Sequence, residues 1–124
     1  MRIPAVLVLV AVVIWSATTL VAQSQFAGKW QTKQSRSTGK HAITVNINSG
    51  NGTVTGAIVL VNPDGSELQW PIEKAKVDGK VLLFQTEDNE ATLTWQLTLR
   101  DASHAYLHGG YSEMVIDETL AKRD

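Results

Sequence analysis

The chain has 124 residues, with 11 lysines and arginines against 12 aspartates and glutamates and no cysteine. A chain of this length fits one domain, and without disulfides its stability must come from packing and strand pairing. A formal net charge of −1 gives no electrostatic case for nucleic acid or an anionic membrane as a partner, because both need clustered lysine and arginine.

Residues 1–22 have the three-part layout of a secretory signal peptide: Arg2 as the only early charge, an apolar run from Ile3 to Trp15, and then small and polar residues. The run is shorter than the ~20 apolar residues of an uncleaved membrane anchor, so we expect cleavage after Ala22. A lipoprotein anchor is excluded as well, since it needs a cysteine at the cleavage point. The sequence therefore predicts a soluble domain, residues 23–124, that is secreted or periplasmic and has no membrane partner after cleavage.

The mature chain consists of short runs rich in threonine and valine, separated by turn residues, without a long stretch of helical periodicity. Such runs are typical of β-strands. In chain order they are FAGKWQTKQ (26–34), HAITVNINS (41–49), TVTGAIVLV (53–61), ELQWPIEKAKV (67–77), KVLLFQTE (80–87), ATLTWQLTLR (91–100), HAYLHGG (104–110) and MVIDETLAKR (114–123).

The connections between these runs are short and carry strong turn signals. GNG (50–52) tolerates positive φ, NPDGS (62–66) combines a preset φ with a glycine, and Asp78-Gly79 favours a two-residue hairpin turn. Pro71 cannot donate a ladder hydrogen bond, which indicates a sheet edge or a bulge at that point. Short sequential hairpins predict an all-β protein of about eight short antiparallel strands in an up-and-down barrel, preceded by a signal peptide helix. Closure as a sandwich is the alternative.

Three large aromatic residues lie on the apolar faces of predicted strands: Trp70, Phe84 and Trp95. On the inner face of a barrel such side chains can line a ligand pocket. They can equally fill the interior, which is the usual state of small eight-stranded barrels. A mature chain of about 100 residues leaves little wall around a void and favours the filled core.

No familiar catalytic or metal-binding arrangement is present. His104, His108 and Glu113 lie close in the sequence, but ~3.3 Å per residue separates the two histidines by about 13 Å along a strand. His41 has neither a nucleophile nor an orienting acid beside it in the sequence. We therefore expect no enzyme, no metal and no cofactor.

The first predicted strand begins with Phe26, Gly28 and Trp30 in the spacing F-x-G-x-W. This resembles the opening of the calycin barrels, the lipocalins and fatty-acid-binding proteins. The resemblance implies a lipocalin-like barrel in which Trp30 plugs one end. Lipocalins pack a late arginine against that tryptophan, a role that the resemblance gives to Arg123. The order of GKW, NGTVTG, DGKV with a following phenylalanine, and a threonine-rich strand with tryptophan also resembles small secreted β proteins of bacteria. That second resemblance implies no particular activity.

Two functions are consistent with these observations. The first is a secreted barrel that binds a small apolar or amphipathic molecule in or at the mouth of the barrel, with Trp70, Phe84 and Trp95 as ligand contacts. The alternative is a filled barrel or sandwich that acts as a structural or interaction module of the cell envelope, without an internal ligand. A monomer is the expected oligomeric state.

Overall fold

The computed structural model describes five ranges of the chain: 23–36, 38–50, 52–89, 91–111 and 114–123. The predicted signal peptide, residues 1–22, and Glu113 lie outside the described residues. Within these ranges, no helix has the length and the apolar character to cross a membrane.

The described residues form an all-β structure with antiparallel pairing throughout. The strands are β1 Gly28–Gln31, β2 Ile43–Gly50, β3 Thr53–Val61, β4 Glu67–Pro71, β5 Glu73–Asp78, β6 Val81–Asp88, β7 Ala91–Leu99, β8 His104–Tyr111 and β9 Met114–Arg123. They form one sheet in the order β4-β3-β2-β1-β9-β8-β7-β6-β5. Because β1 pairs with both β2 and β9, the first strand joins the last, and a nearly closed up-and-down barrel results. This confirms the predicted fold class.

The run predicted as one strand over 67–77 is divided into β4 and β5 by Ile72. β4 pairs with β3, whereas β5 pairs with β6, and the Ile72 amide donates to the Gly56 carbonyl at 2.8 Å. A register shift follows in β5, where Lys74 has φ 51°. Pro71 therefore lies in an edge strand just before an irregularity, as expected from its missing N–H. The segment bends from one end of the sheet to the other, which nearly closes the barrel.

The core lies inside the barrel and follows the alternation of the strands. In β7 the side chains of Leu93, Trp95, Leu97 and Leu99 are buried, while those of the intervening threonines and glutamine are exposed or half-buried. The same alternation buries Leu82, Phe84 and Thr86 in β6. The largest fully buried side chains are Trp30, Trp95, Phe26 and Phe84, so aromatic residues occupy much of the interior.

Candidate functional site

Trp95 and Phe84 are brought together in the core. They are direct partners across β6 and β7, and their rings stack with centroids 6.2 Å apart at 15°. Trp95 is 0% exposed and Phe84 is 1% exposed. The indole Nε1 of Trp95 donates to Oγ1 of Thr86 at 2.9 Å, so its one polar atom has a partner inside the protein.

The backbone of β8 covers part of the Trp95 ring. Gly109 is the β8 partner of Trp95, and a Cβ at Gly109 would lie 2.6 Å from Cε3 of the indole. Only glycine leaves room for the ring at this distance. Trp70, 7% exposed, lies on β4 in register with Ile58 of β3. The structure thus places all three predicted ligand contacts among core side chains.

The F-x-G-x-W segment folds back on itself at one end of the barrel. Trp30 is fully buried, and its Nε1 donates to the carbonyl oxygen of Phe26 at 2.8 Å. Nζ of Lys122 lies 5.6 Å from the centroid of the Trp30 ring, a cation–π geometry. Lys122 therefore occupies the place that the resemblance gave to Arg123, which is exposed and in register with Lys29. Trp30 and Lys122 are direct partners across β1 and β9, so their side chains lie on the same face of the sheet, whereas that of Arg123 lies on the opposite face.

A depression of about 320 Å³ lies beside this end of the barrel. We call it the mouth pocket. Leu99 and Ala102 give it an apolar wall, and three cationic side chains surround that wall with one carboxylate: Lys80, Arg100, Lys122 and Asp101. Hydrogen bonds from the Ser103 amide and then from His104 hold the pKa of Asp101 below its usual value of 3.8.

A second opening separates β1 from β9. The two strands pair only through Lys29, Trp30 and Gln31, opposite Arg123, Lys122 and Ala121. The chain after Gln31 then follows β2 instead: the Thr32 amide donates to the Ile43 carbonyl at 3.1 Å, and Oγ1 of Thr32 accepts from the Ile43 amide at 3.1 Å. Nδ1 of His41 donates to the Thr32 carbonyl at 2.5 Å. These bonds tie the segment to β2 and separate it from β9.

This opening forms a groove of about 650 Å³. Its β9 side carries Asp117, Glu118 and Thr119, and its other side carries Thr32 and Lys33. Among the described residues, β9 has no strand partner on this side from Val115 to Leu120. We call this stretch the open edge.

A hydrogen-bonded cluster stands on the outer face beside the open edge. Nδ1 of His108 and the hydroxyl of Tyr106 both bond to Oδ1 of Asp117, the tyrosine at 2.8 Å. The bond from His108, and then that from Tyr106, lower the pKa of Asp117 below 3.8, and the bond to Asp117 raises the pKa of Tyr106 above 10.0. The carboxylate of Asp117 therefore stays ionised near neutral pH.

The two β8 histidines considered as metal ligands bond to different aspartates. His104 bonds to Asp101 at 3.0 Å, and His108 bonds to Asp117. No group of three or more histidine, cysteine, aspartate or glutamate side chains in the described ranges could hold a metal ion. Sequence patterns did not point to Asp117, which lies directly opposite His108 in the antiparallel pairing of β8 with β9.

No family model, curated protein or solved structure matches the chain. The resemblance to calycins stays a prediction, and the functional conclusion depends on the residues and their geometry.

Proposed function

We propose that the protein is a non-enzymatic recognition module outside the cytoplasm that binds its partner with its surface, while the barrel interior serves as the core. The packing around Trp95 carries this proposal. Its ring stacks on Phe84, borders the backbone of Gly109, and uses its single donor on Thr86. An internal ligand would need an accessible ring face or a polar group without a partner, and Trp95 offers neither.

The location outside the cytoplasm is supported by the layout of residues 1–22. It is tested by expressing the full chain in a bacterium and measuring the intact mass of the protein in the periplasmic fraction. We expect the mass of a chain that begins at Gln23. A product of full-length mass in the cytoplasmic or membrane fraction would contradict this part of the proposal.

A small amphipathic anion at the mouth pocket is the second candidate. The apolar wall of Leu99 and Ala102 suits a short hydrocarbon segment, and the ammonium and guanidinium groups around it suit a carboxylate or phosphate head. Ligand pockets commonly start at about 300 Å³, so the mouth pocket is large enough only for a small molecule. This candidate retains the predicted ligand class and places it outside the core.

Native mass spectrometry and tryptophan fluorescence separate these alternatives. For a surface recognition module, protein purified from cells has the mass of the bare chain, and lauric acid or a retinoid probe leaves the emission unchanged. Recovery of a stoichiometric lipid would contradict the proposal. If a lipid is found, Lys80→Ala distinguishes the mouth pocket from the core, with Lys76→Ala on β5 as the matched control. Loss of the lipid only in Lys80→Ala assigns it to the mouth pocket.

A further inference from the structure

The open edge directs a regular row of backbone groups into the groove. In β9 the Lys122 amide donates to the Ser103 carbonyl at 2.7 Å, which fixes the residues that bond to the β8 side. Residues of that parity, 116, 118 and 120, bond to β8, and those of the other parity direct their N–H and C=O groups the opposite way. The backbone groups of Val115, Asp117 and Thr119 therefore face the groove, without a strand partner among the described residues.

This stretch has the geometry of an ordinary extended strand. From Val115 to Leu120 it spans about 17 Å at ~3.4 Å per residue, and it contains no proline and no register shift against β8. Exposed edges of this kind are normally blunted, because they accept a strand from another chain. The apolar side chain of Val115, 62% exposed, adds a contact surface at one end.

The side chains along the open edge are acidic. The Asp117 carboxylate lies on the outer face, held by His108 and Tyr106, and the Glu118 side chain is exposed on the adjacent position. Opposite charges on directly paired strands stabilise the pairing, and like charges destabilise it. An added strand with lysine or arginine opposite Asp117 therefore complements this edge, while the cation Lys33 lies across the groove on the segment after β1.

A second copy of the chain fits the open edge poorly. Two β9 edges that pair antiparallel around a two-fold axis bring the Asp117 and Glu118 side chains of both copies close together. That arrangement places like charges opposite each other. The acidic side chains thus favour a basic peptide over self-pairing.

We propose that the open edge of β9 binds an extended, basic peptide segment by strand addition, with the backbone groups of Val115, Asp117 and Thr119 as its hydrogen-bonding partners. Strand addition of this kind gives affinity through main-chain hydrogen bonds and specificity through alternate side chains. The inference rests on the proposed function, because it assigns the partner of a surface recognition module.

A capped seven-residue peptide that alternates lysine with threonine is the probe, followed by amide hydrogen exchange on isotopically labelled protein. We expect saturating peptide to slow exchange at Asp117 and Thr119 at least tenfold. The amides of Ile116 and Glu118, which already bond to β8, should change less than twofold. Absence of protection at Asp117 and Thr119 at millimolar peptide would overturn the proposal.

Thr119→Pro removes an edge donor without removing a bond to β8, and Thr119→Ala is the matched control that keeps the amide. We expect the first to weaken peptide binding at least tenfold and the second less than threefold. Asp117→Lys tests the charge assignment without introducing a proline. This variant should no longer bind the lysine peptide and should bind a peptide in which glutamate replaces each lysine. Equal binding of both peptides to wild type would overturn the charge assignment.

These outcomes separate the inference from the proposed function. Peptide binding that survives Thr119→Pro, with the chemical shift changes on another surface, overturns strand addition and leaves surface recognition in place. Concentration-dependent dimerisation of wild type with protection at Asp117 and Thr119 overturns the choice of a peptide over a second copy. Recovery of a stoichiometric lipid from cells contradicts the proposed function itself.

Discussion

The Trp95 side chain needs a packing partner, a hydrogen-bond acceptor and space for its ring, and a different neighbour provides each. Phe84 offers a ring at stacking distance, Thr86 accepts the indole hydrogen bond, and Gly109 leaves space for the six-membered ring. A buried tryptophan without an acceptor would leave an unpaired donor in the core, at a cost of about 1 to 3 kcal/mol. Thr86 is polar although it lies on the apolar inner face of β6, because it accepts the hydrogen bond of Trp95 on β7.

Trp95→Ala is expected to lower the free energy of unfolding by about 3 to 5 kcal/mol, since it leaves a cavity in a packed core. Thr86→Val should lower it by about 1 to 3 kcal/mol, because the shape is kept and the indole donor loses its acceptor. Urea denaturation followed by circular dichroism measures both. Thr94→Val on the exposed face of β7 is the control and should stay within about 0.5 kcal/mol of wild type. A near-neutral Trp95→Ala would indicate a solvated interior.

The Asp117 carboxylate should titrate below its ordinary pKa of 3.8. Because the folded value is lowered, its contribution to stability is present above the unfolded pKa and is lost as the pH falls through the folded value. The difference in stability between wild type and Asp117→Asn should therefore shrink below pH 3.8. Carboxyl carbon NMR follows the titration, and the pKa should rise more in His108→Ala than in Tyr106→Phe. An unchanged pKa in both variants would show that neither bond forms in solution.

At the scale of the element, the F-x-G-x-W segment shows why its glycine has that position. Gly28 has φ +136°, and a Cβ there would lie 2.7 Å from Cε of Lys122. The aliphatic part of Lys122 thus passes over Gly28 to bring its ammonium above the Trp30 ring. Backbone conformation and close approach both favour glycine at this position.

Gly28→Ala should lower the free energy of unfolding by about 1 to 3 kcal/mol, from strain at positive φ and from the Lys122 contact. In the Lys122→Ala background the contact disappears and the strain remains, so a double-mutant cycle measured by urea denaturation separates the two. Gly50→Ala is the matched control, because a Cβ there meets nothing within 4 Å. Equal effects of Gly28→Ala and Gly50→Ala would contradict the role of Gly28.

At the scale of the whole molecule, where the chain after β1 leaves β9, a stretch of β9 has no strand partner among the described residues, in addition to the outer edges of β4 and β5. β1 pairs with β9 on one side and with β2 on the other. After Gln31, the hydrogen bonds of Thr32 to Ile43 and His41 keep the chain beside β2 and away from β9. Like charges on directly paired strands destabilise the pairing, so Asp117 and Glu118 disfavour pairing of this edge with a second copy.

Neutralising the open edge should therefore make the protein self-associate. We expect the double variant Asp117→Asn with Glu118→Gln to show a weight-average mass that rises with concentration in sedimentation velocity, while wild type stays monomeric. The pair Asp64→Asn with Asp101→Asn removes the same number of negative charges from two turns between strands and serves as control. A monomeric double variant would show that acidic side chains do not protect this edge.

Local patterns in the sequence predicted most of the strands, the inward face of β7 and most of the connections. Period-two alternation and turn residues are local signals, so ATLTWQLTLR indicated β7 with Trp95 inside, and Asp78-Gly79 indicated the hairpin between β5 and β6. Pro71 indicated an edge or irregularity because its missing N–H is a property of the residue alone.

How these elements meet depends on contacts between residues that are far apart in the chain. The tertiary structure divides one predicted strand at Ile72, places Lys122 over Trp30 where a resemblance implied Arg123, and packs Trp95 against Phe84. Among the described residues, it also leaves the β1 side of β9 without a strand partner from Val115 to Leu120. Each of these depends on the register between strands, and the β1–β9 pairing joins opposite ends of the domain. A one-residue shift in register exchanges every inward and outward side chain, and local patterns do not fix register across such a distance.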